Sequence, residues 1–281
     1  EDAQQVFIKL PCKDVVSWTT MILCYGKNGY VDKANNLMRE MELEGVQPNE
    51  VTFLAIINAF SFVGRLELNM QIHSKLLKSG KEINTLVANA LIDSYVKCGD
   101  ILCACFVFNK MTNKNIISWN SLISGYALHG YARKSLLLAS KMQEKCNEPN
   151  DVTFLGVLSA CSRGGLVDEG LHIFIHMIQC EHIILTYDHL VCMVDLLARI
   201  GHLYLAAEVM RCLPLDTNAV VSRTLLNGCK IHGKITLAMS VIENMIHAEQ
   251  DDASAFTLML NMFATSTPLG KEEVMDLFEQ E

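Results

Sequence analysis

The stretch VVSWTTMILCYGKNGY at 15–30 returns 101 residues later as IISWNSLISGYALHGY at 116–131, with Ser17, Trp18, Ile22, Tyr25, Gly29 and Tyr30 matched by Ser118, Trp119, Ile123, Tyr126, Gly130 and Tyr131. The agreement continues outward. Pro48 and Asn49 fall on Pro149 and Asn150, and EVTFLAIINAFS at 50–61 falls on DVTFLGVLSACS at 151–162. ALIDSYVKCGD at 90–100 resembles CMVDLLARIGH at 192–202, one residue out of step. Self-similarity at such a period means stacked supersecondary units, and here the period divides into blocks of 35, 35 and 31 residues.

Each block reads as helix, tight turn, helix. In 15–49, Trp18, Ile22 and Tyr25 recur at i, i+4 and i+7; Gly29 interrupts; Ala34, Leu37, Met38 and Met41 resume the stripe; Gly45 and Pro48 close it. The apolar face is too wide for one hairpin to bury, so neighbouring blocks must stack and share their stability. The predicted fold is all-α.

With 281 residues, 51% of them apolar, and only 5 Pro, the chain has enough material for a large core. No apolar run approaches the roughly 18 residues of a membrane span, so no membrane partner is expected. The 11 Cys include no C-x-x-C pair. Cys98, Cys103, Cys105, Cys161 and Cys192 sit on or beside apolar stripes, as small buried hydrophobes do, which favours a reducing compartment over a disulfide scaffold. The opening EDAQQVFIKLPCKD at 1–14 reads as the second helix and tail of a hairpin whose first helix is missing. The chain is therefore expected to be a fragment, with any targeting segment upstream.

The net charge of −8 is unevenly spread: 249–281 hold 8 acids and one Lys, leaving 23 acids and 22 bases in 1–248. Cations recur thirteen residues into a block, at Lys27, Lys97, Arg163 and Arg199, with Phe62 and Leu128 breaking the series. Two readings stand. One is solubilising charge near helix C-termini, where the dipole favours cations; the other is a phosphate track along the stack.

The block lengths and the phrases VVSWTTMI, GYVDKANNLMREM, DVTFLGVLSACSRGGLVDEG and MVDLLARIGHLYLAAEVM resemble the pentatricopeptide repeat (PPR) family, in its plant-type subclass of alternating P, L and S motifs. The resemblance implies a right-handed α-solenoid of stacked helix-turn-helix repeats, similar to the tetratricopeptide fold. It divides the chain into a partial motif at 1–14, P at 15–49, L at 50–84, S at 85–115, P at 116–150, a final L at 151–186 and a final S at 187–218. Residues 219–281 are similar to a truncated E-type extension, although Ser222 stands where similar sequences often have Trp. A tetratricopeptide assignment fails on pattern, because the regular 34-residue spacing and W-x-x-L-G-x-x-Y are both absent.

The resemblance implies recognition of single-stranded RNA, one base per repeat, read by two or three side chains. In this family the fifth and last residues of P and S blocks select the base. The pairs are Thr19 with Asn49, Asn89 with Asn115, Asn120 with Asn150, and, without clear preference, Val191 with Asn218. Asn amides and Thr hydroxyls are short, rigidly placed hydrogen-bonding groups; Thr with Asn suggests adenine and Asn with Asn a pyrimidine. Second-place Val16, Val51, Leu86, Ile117 and Val152 would sandwich the bases, while the final S block has Asp188 there. Taken singly, any of these Asn reads equally as a turn or helix cap. Leu54 and Leu155 occupy the fifth place of the L blocks and cannot hydrogen-bond.

No catalytic constellation emerges, and no cofactor is expected. The family's appended zinc deaminase needs H-x-E together with C-x-x-C, and that combination is absent. His172, His176 and Cys180 are spaced over two helical turns, too far to converge on one tetrahedral ion, so no metal site is expected. Asp251-Asp252 and Glu272-Glu273 read as solvated charge.

The expected function is a non-enzymatic, sequence-specific RNA-binding protein of the mitochondrion or chloroplast that directs C-to-U editing. Its partners would be single-stranded organellar RNA, a DYW-type deaminase acting in trans, and the multiple organellar RNA-editing factors. The alternatives are an organellar processing, splicing or stability factor, and a protein-binding scaffold without RNA affinity.

Overall fold

The computed structural model describes residues 2–78, 83–145, 147–180, 183–211 and 218–247, and all regular structure among them is helical. Among the described residues fifteen helices follow one another: α1 (Asp2–Lys9), α2 (Val15–Lys27), α3 (Val31–Leu43), α4 (Glu50–Val63), α5 (Leu66–Lys78), α6 (Thr85–Lys97), α7 (Ile101–Lys110), α8 (Ile116–Leu128), α9 (Ala132–Glu144), α10 (Asp151–Gly164), α11 (Val167–Gln179), α12 (Tyr187–Arg199), α13 (Leu203–Arg211), α14 (Asn218–His232) and α15 (Ile235–His247). None is long and apolar enough to cross a membrane.

The helix starts follow from side-chain capping. The first helices α2, α4, α6, α8, α10 and α12 begin on the first residues of the six blocks read from the sequence. In five of them the preceding residue caps the helix: Asp14, Asn49, Asn84, Asn115 and Asn150 accept the backbone N–H three residues on, at 2.8, 2.9, 2.8, 3.0 and 3.1 Å. Each cap satisfies an otherwise orphaned donor and contributes about 1 kcal/mol. At the other end, α4 stops at Gly64, whose φ of 69° lies in the left-handed region that glycine enters without a Cβ penalty.

The chain divides into two compact units, 1–129 with 134–149, and 130–133 with 150–281. In the first, α2 packs on α3 and α4, α4 on α6, and α6 on α7 and α8, so these first helices form one layer, and α1, α3, α5 and α7 each lean on the first helix that follows. In the second, α10 packs on α11 and α12, α12 on α13 and α14, and α14 on α15. The fold is thus an all-helical stack of repeats.

Within each unit the core pools the apolar stripes of neighbouring hairpins. Trp18, Ile22, Met38 and Met41 are essentially inaccessible to solvent, as are Ile56, Ile57 and Phe60 behind them. In the second unit Val194, Leu197, Ala206, Val221, Leu225 and Leu226 form the corresponding cluster. The 101-residue repeat is visible in the packing: Phe7 meets Trp18 edge-on at 4.9 Å and Phe108 meets Trp119 edge-on at 5.0 Å. Edge-to-face pairing adds about 0.5–1.5 kcal/mol beyond area burial. Helices α2 and α4 approach closely enough that a Cβ on Gly26 would fall 2.6 Å from that of Ala59, so even Gly26→Ala requires movement.

Candidate functional site

The last residue of a block is the N-cap of the next first helix, and this places it beside the fifth residue of its own block. The clearest instance joins α6 and α8. Asn89, on α6, is buried, with 7% of its surface exposed. Its Nδ2 donates to Asn115 Oδ1 at 3.2 Å, although the two are 26 positions apart in sequence. Ser118, on α8, donates from Oγ to Asn89 Oδ1 at 2.7 Å. Asn115 Oδ1 also accepts from the Ser118 backbone N–H and lies 3.0 Å from its Oγ.

These bonds determine which way both amides point. Asn115 must present its oxygen to the helix N–H, and Asn89 must present its nitrogen to that oxygen. With both oxygens engaged, the Asn115 Nδ2 hydrogens and one hydrogen of the buried Asn89 Nδ2 have no partner among the described residues.

A related arrangement joins α2 and α4. Thr19 is buried, its Oγ1 2.7 Å from Thr52 Oγ1, and Thr52 Oγ1 donates to Asn49 Oδ1 at 3.0 Å. Here a third residue bridges the fifth and last ones, which do not bond directly. Asn150 is half-buried and caps α10 with Thr153 in the same way. Asn120 is buried at 8% exposure and has a hydrogen-bonding or electrostatic partner. Capping and base contact stand as alternatives for each Asn in the sequence; at Asn49, Asn115 and Asn150 capping is the local structural function, and it is carried by the amide oxygen.

The second-place residues are all exposed despite being apolar: Val16 69%, Val51 55%, Leu86 60%, Ile117 56% and Val152 46%. Their recurrence at one turn of every first helix, beside the polar pairs, is not what core packing produces. Asp188 is exposed at the same place. Val191 is half-buried and packs on the second unit's core, while the side chain of Asn218 lies outside the described residues. Leu155 leaves its place without hydrogen-bonding capacity, and the polar cap there is built differently. His189 is 1% exposed; its Nδ1 accepts the Thr186 backbone N–H at 3.0 Å, and its Nε2 therefore carries the hydrogen donated to the Asp151 carbonyl at 2.9 Å.

The cations sit elsewhere. Lys27, Lys97, Arg163 and Arg199 are exposed in the last turn of their helices, eight residues and so about 12 Å along the axis from the fifth place. Lys97 pairs with Asp93 at 2.7 Å and Arg199 with Asp195 at 3.0 Å. Lys27 and Arg163 have no carboxylate in ion-pair range among the described residues. Both readings of the series fit this placement.

Other chemistry is sparse among the described residues. No three His, Cys, Asp or Glu side chains are grouped to hold a metal ion. His172 and His176 are exposed, and His176 lies against Phe154 at 5.9 Å. The nine described cysteines are free thiols. Burial pushes the Cys161 thiol up to about 12 and those of Cys192 and Cys229 to about 11, so these sulfurs are protonated and unreactive at neutral pH. Ser222 is buried with its hydroxyl against the Met210 sulfur at 3.7 Å. The acidic pairs Asp251-Asp252 and Glu272-Glu273 lie outside the described residues.

Sequence reasoning missed the third residues, Thr52, Ser118, Thr153 and His189. For Thr52, Ser118 and Thr153 the signal was available as Ser or Thr three places after Asn, half of a capping box; His189, three places after Thr186, carries no such signal.

Comparison with known proteins fits this architecture. The chain matches the PPR repeat family at 13–62 and the PPR repeat at 87–116, 117–147 and 152–182, together just over half of its length. It is 38% identical over 95% of its length to the chloroplastic pentatricopeptide repeat-containing protein At1g08070 of Arabidopsis thaliana, covering 36% of that protein. It is 36% identical over 93% of its length to the chloroplastic CRR2, covering 40% of it, and 35% identical over 91% to the mitochondrial At4g31070, covering 41%, both from the same plant. The chain thus spans well under half of these curated relatives. Among solved structures, the maize pentatricopeptide repeat protein PPR10 superposes with a TM-score of 0.77 over 95% of this chain and 39% of that one. PPR10 in complex with an 18-nt psaJ RNA element superposes with a TM-score of 0.81 over 99% and 41%; sequence identity is 18% in both cases. A repeat read at block length, helix starts that fall on the block boundaries and these matches converge: the chain belongs to the pentatricopeptide repeat family.

Proposed function

We propose that the chain binds single-stranded RNA in a sequence-specific manner and directs C-to-U editing of organellar transcripts, the deaminase acting in trans. The observation that carries this reading is the Asn89–Asn115 pair. Two amides distant in sequence are held together at the start of a helix with N–H groups to spare, and the second residues of the same helices, Leu86 and Ile117, are exposed apolar side chains on which base faces can rest. Hydrogen bonding to a base edge with apolar stacking on its faces is how unpaired RNA bases are recognised. The RNA-bound state of the similarly folded PPR10 supports the ligand class, and chloroplastic and mitochondrial relatives support an organellar location. The order P-L-S supports the editing role. In this reading 15–218 is the RNA-reading region, 219–281 an E-type extension that engages the deaminase or other editing factors, and Lys27, Lys97, Arg163 and Arg199 contact phosphates.

The test is a binding titration of the chain against a single-stranded RNA bearing adenine, any base, pyrimidine, pyrimidine, and against a permuted control, over a salt series. Preferential binding with log affinity falling linearly in log salt is expected. Equal or absent binding to both RNAs overturns the reading. Editing is tested separately: disrupting the gene should abolish C-to-U conversion at particular organellar sites, and unchanged conversion at every site excludes that role.

A further inference from the structure

We infer that the third residue of a block is a specificity-determining positioning residue for the block before it, orienting that block's fifth side chain toward the base. The proposal rests on the base-reading function proposed above. It is carried by the geometry at Ser118 and by a correlation along the chain.

Ser118 is wholly buried, and its Oγ donates to Asn89 Oδ1 at 2.7 Å. Without that bond Asn89 Oδ1 has no partner from α8, and the amide is free to turn its oxygen outward. Thr52 occupies the same place relative to Thr19, hydroxyl to hydroxyl at 2.7 Å. The bond therefore spans two blocks, from the first turn of one first helix to the second turn of the helix before it.

The correlation is legible once the geometry is known. Where the fifth residue is polar, as at Thr19, Asn89 and Asn120, the third residue of the next block is a hydroxyl: Thr52, Ser118 and Thr153. Where the fifth residue is Leu54 or Leu155, the next third residue is Val87 or His189. A requirement for helix capping alone would not make the third residue follow the chemistry of a side chain one block earlier. Asn84 caps α6 with Val87 at the third place, and its Oδ1 takes the Val87 backbone N–H without any hydroxyl.

The consequence for recognition is a restriction on what the base must offer. Ser118 occupies the Asn89 oxygen, the α8 N-terminus occupies the Asn115 oxygen, and the repeat presents N–H donors. Adenine offers one acceptor, N1, beside the N6 amino donor on its base-pairing edge, whereas uracil offers two, O4 and O2, and cytosine two, N3 and O2, so a set of donors finds more acceptors on either pyrimidine.

The experiment compares the chain with its Ser118→Ala and Ser118→Thr variants on four single-stranded RNAs that differ only at the third base of the adenine, any base, third base, pyrimidine sequence. Helicity and melting temperature are recorded for each protein. The wild-type chain should prefer pyrimidine over adenine there. Ser118→Ala should reduce that preference about five-fold, the worth of one hydrogen bond near 1 kcal/mol, and Ser118→Thr should restore it. An unchanged ratio in Ser118→Ala, or an equal loss on all four RNAs, assigns Ser118 to capping alone and overturns the proposal. A folded wild-type chain indifferent to this base overturns the base-reading function itself, and the proposal with it. Should Ser118→Ala fail to fold, Thr52→Val with Thr52→Ser as rescue asks the same question of the first base.

Discussion

The junctions α6–α8 and α10–α12 solve one problem with different chemistry. Both must satisfy the free N–H groups at the start of a first helix. At α6–α8, Asn115, Ser118 and Asn89 form a polar network that engages both amide oxygens and leaves amide hydrogens over. At α10–α12, Thr186 and His189 close the cap on themselves, the imidazole turns inward to the Asp151 carbonyl, and Leu155 fills the place of Asn89. Capping is therefore met at each of α2, α4, α6, α8, α10 and α12, while a polar fifth residue is an addition that a repeat can lack. A helix cap and a recognition group can be the same residue, because an Asn side chain has an oxygen for one task and a nitrogen for the other.

The sharpest way to break this contrast is His189→Ala. Removing a fully buried imidazole bonded through both nitrogens takes the acceptor from the Thr186 N–H, removes one of the donors to the Asp151 carbonyl, which keeps its bond within α10, and opens a cavity. A loss of about 2–4 kcal/mol is expected by denaturant unfolding, with base preference at the α6–α8 repeat unchanged. A shift in that preference would show that the α10–α12 junction reaches into recognition.

Next in size is Asn120→Thr, which makes the second P block resemble the first, where Thr19 stands. Preference at the fourth base should move from pyrimidine toward adenine by about 1–3 kcal/mol. Binding to four RNAs differing at that base measures it, and an unmoved ranking would remove Asn120 from the reading set. Because Asn120 is buried, the variant's melting temperature belongs beside the affinity.

The two units also differ in what their buried histidines do. His73 in the first unit shares a hydrogen bond with Tyr95 OH at 2.9 Å, and burial lowers its pKa from the ordinary value near 6.5. The folded state thus binds its proton less readily than the unfolded chain. Its contribution is fully present above about pH 6.5 and is lost as pH falls through the lower folded value. Acidification over that range should lower the melting temperature, and His73→Gln should flatten that part of the profile. An equally steep profile in the variant would place the titration elsewhere.

The smallest effect belongs to the cations. Lys27→Ala should weaken binding about equally for all RNA sequences and reduce the magnitude of the salt slope by about one. Lys97→Ala should do less, because its ammonium is already shared with Asp93. A change in base preference with the slope intact would give Lys27 another role than phosphate contact.

Much of this protein is legible in its amino-acid sequence. The recurrence of Trp18 at Trp119 and of Pro48-Asn49 at Pro149-Asn150 reveals the period, because a repeat must reproduce the same core contacts and the same caps in every copy. The helix starts at Val15, Glu50, Thr85, Ile116, Asp151 and Tyr187 follow from that register, since capping is local and written in adjacent residues. What the sequence does not show is the bond between Asn89 and Ser118, or the direction each amide faces. Nor does it reveal that Thr19, Asn89 and Asn120 are sunk nearly out of solvent while their apolar neighbours stand exposed. Those facts depend on how closely one hairpin settles against the next, and that distance is set by side chains far apart in the chain, Gly26 against Ala59 among them. Local chemistry determined where each helix begins; only the packing of one repeat on another decided which atoms of a capping residue such as Asn115 are engaged by its neighbours.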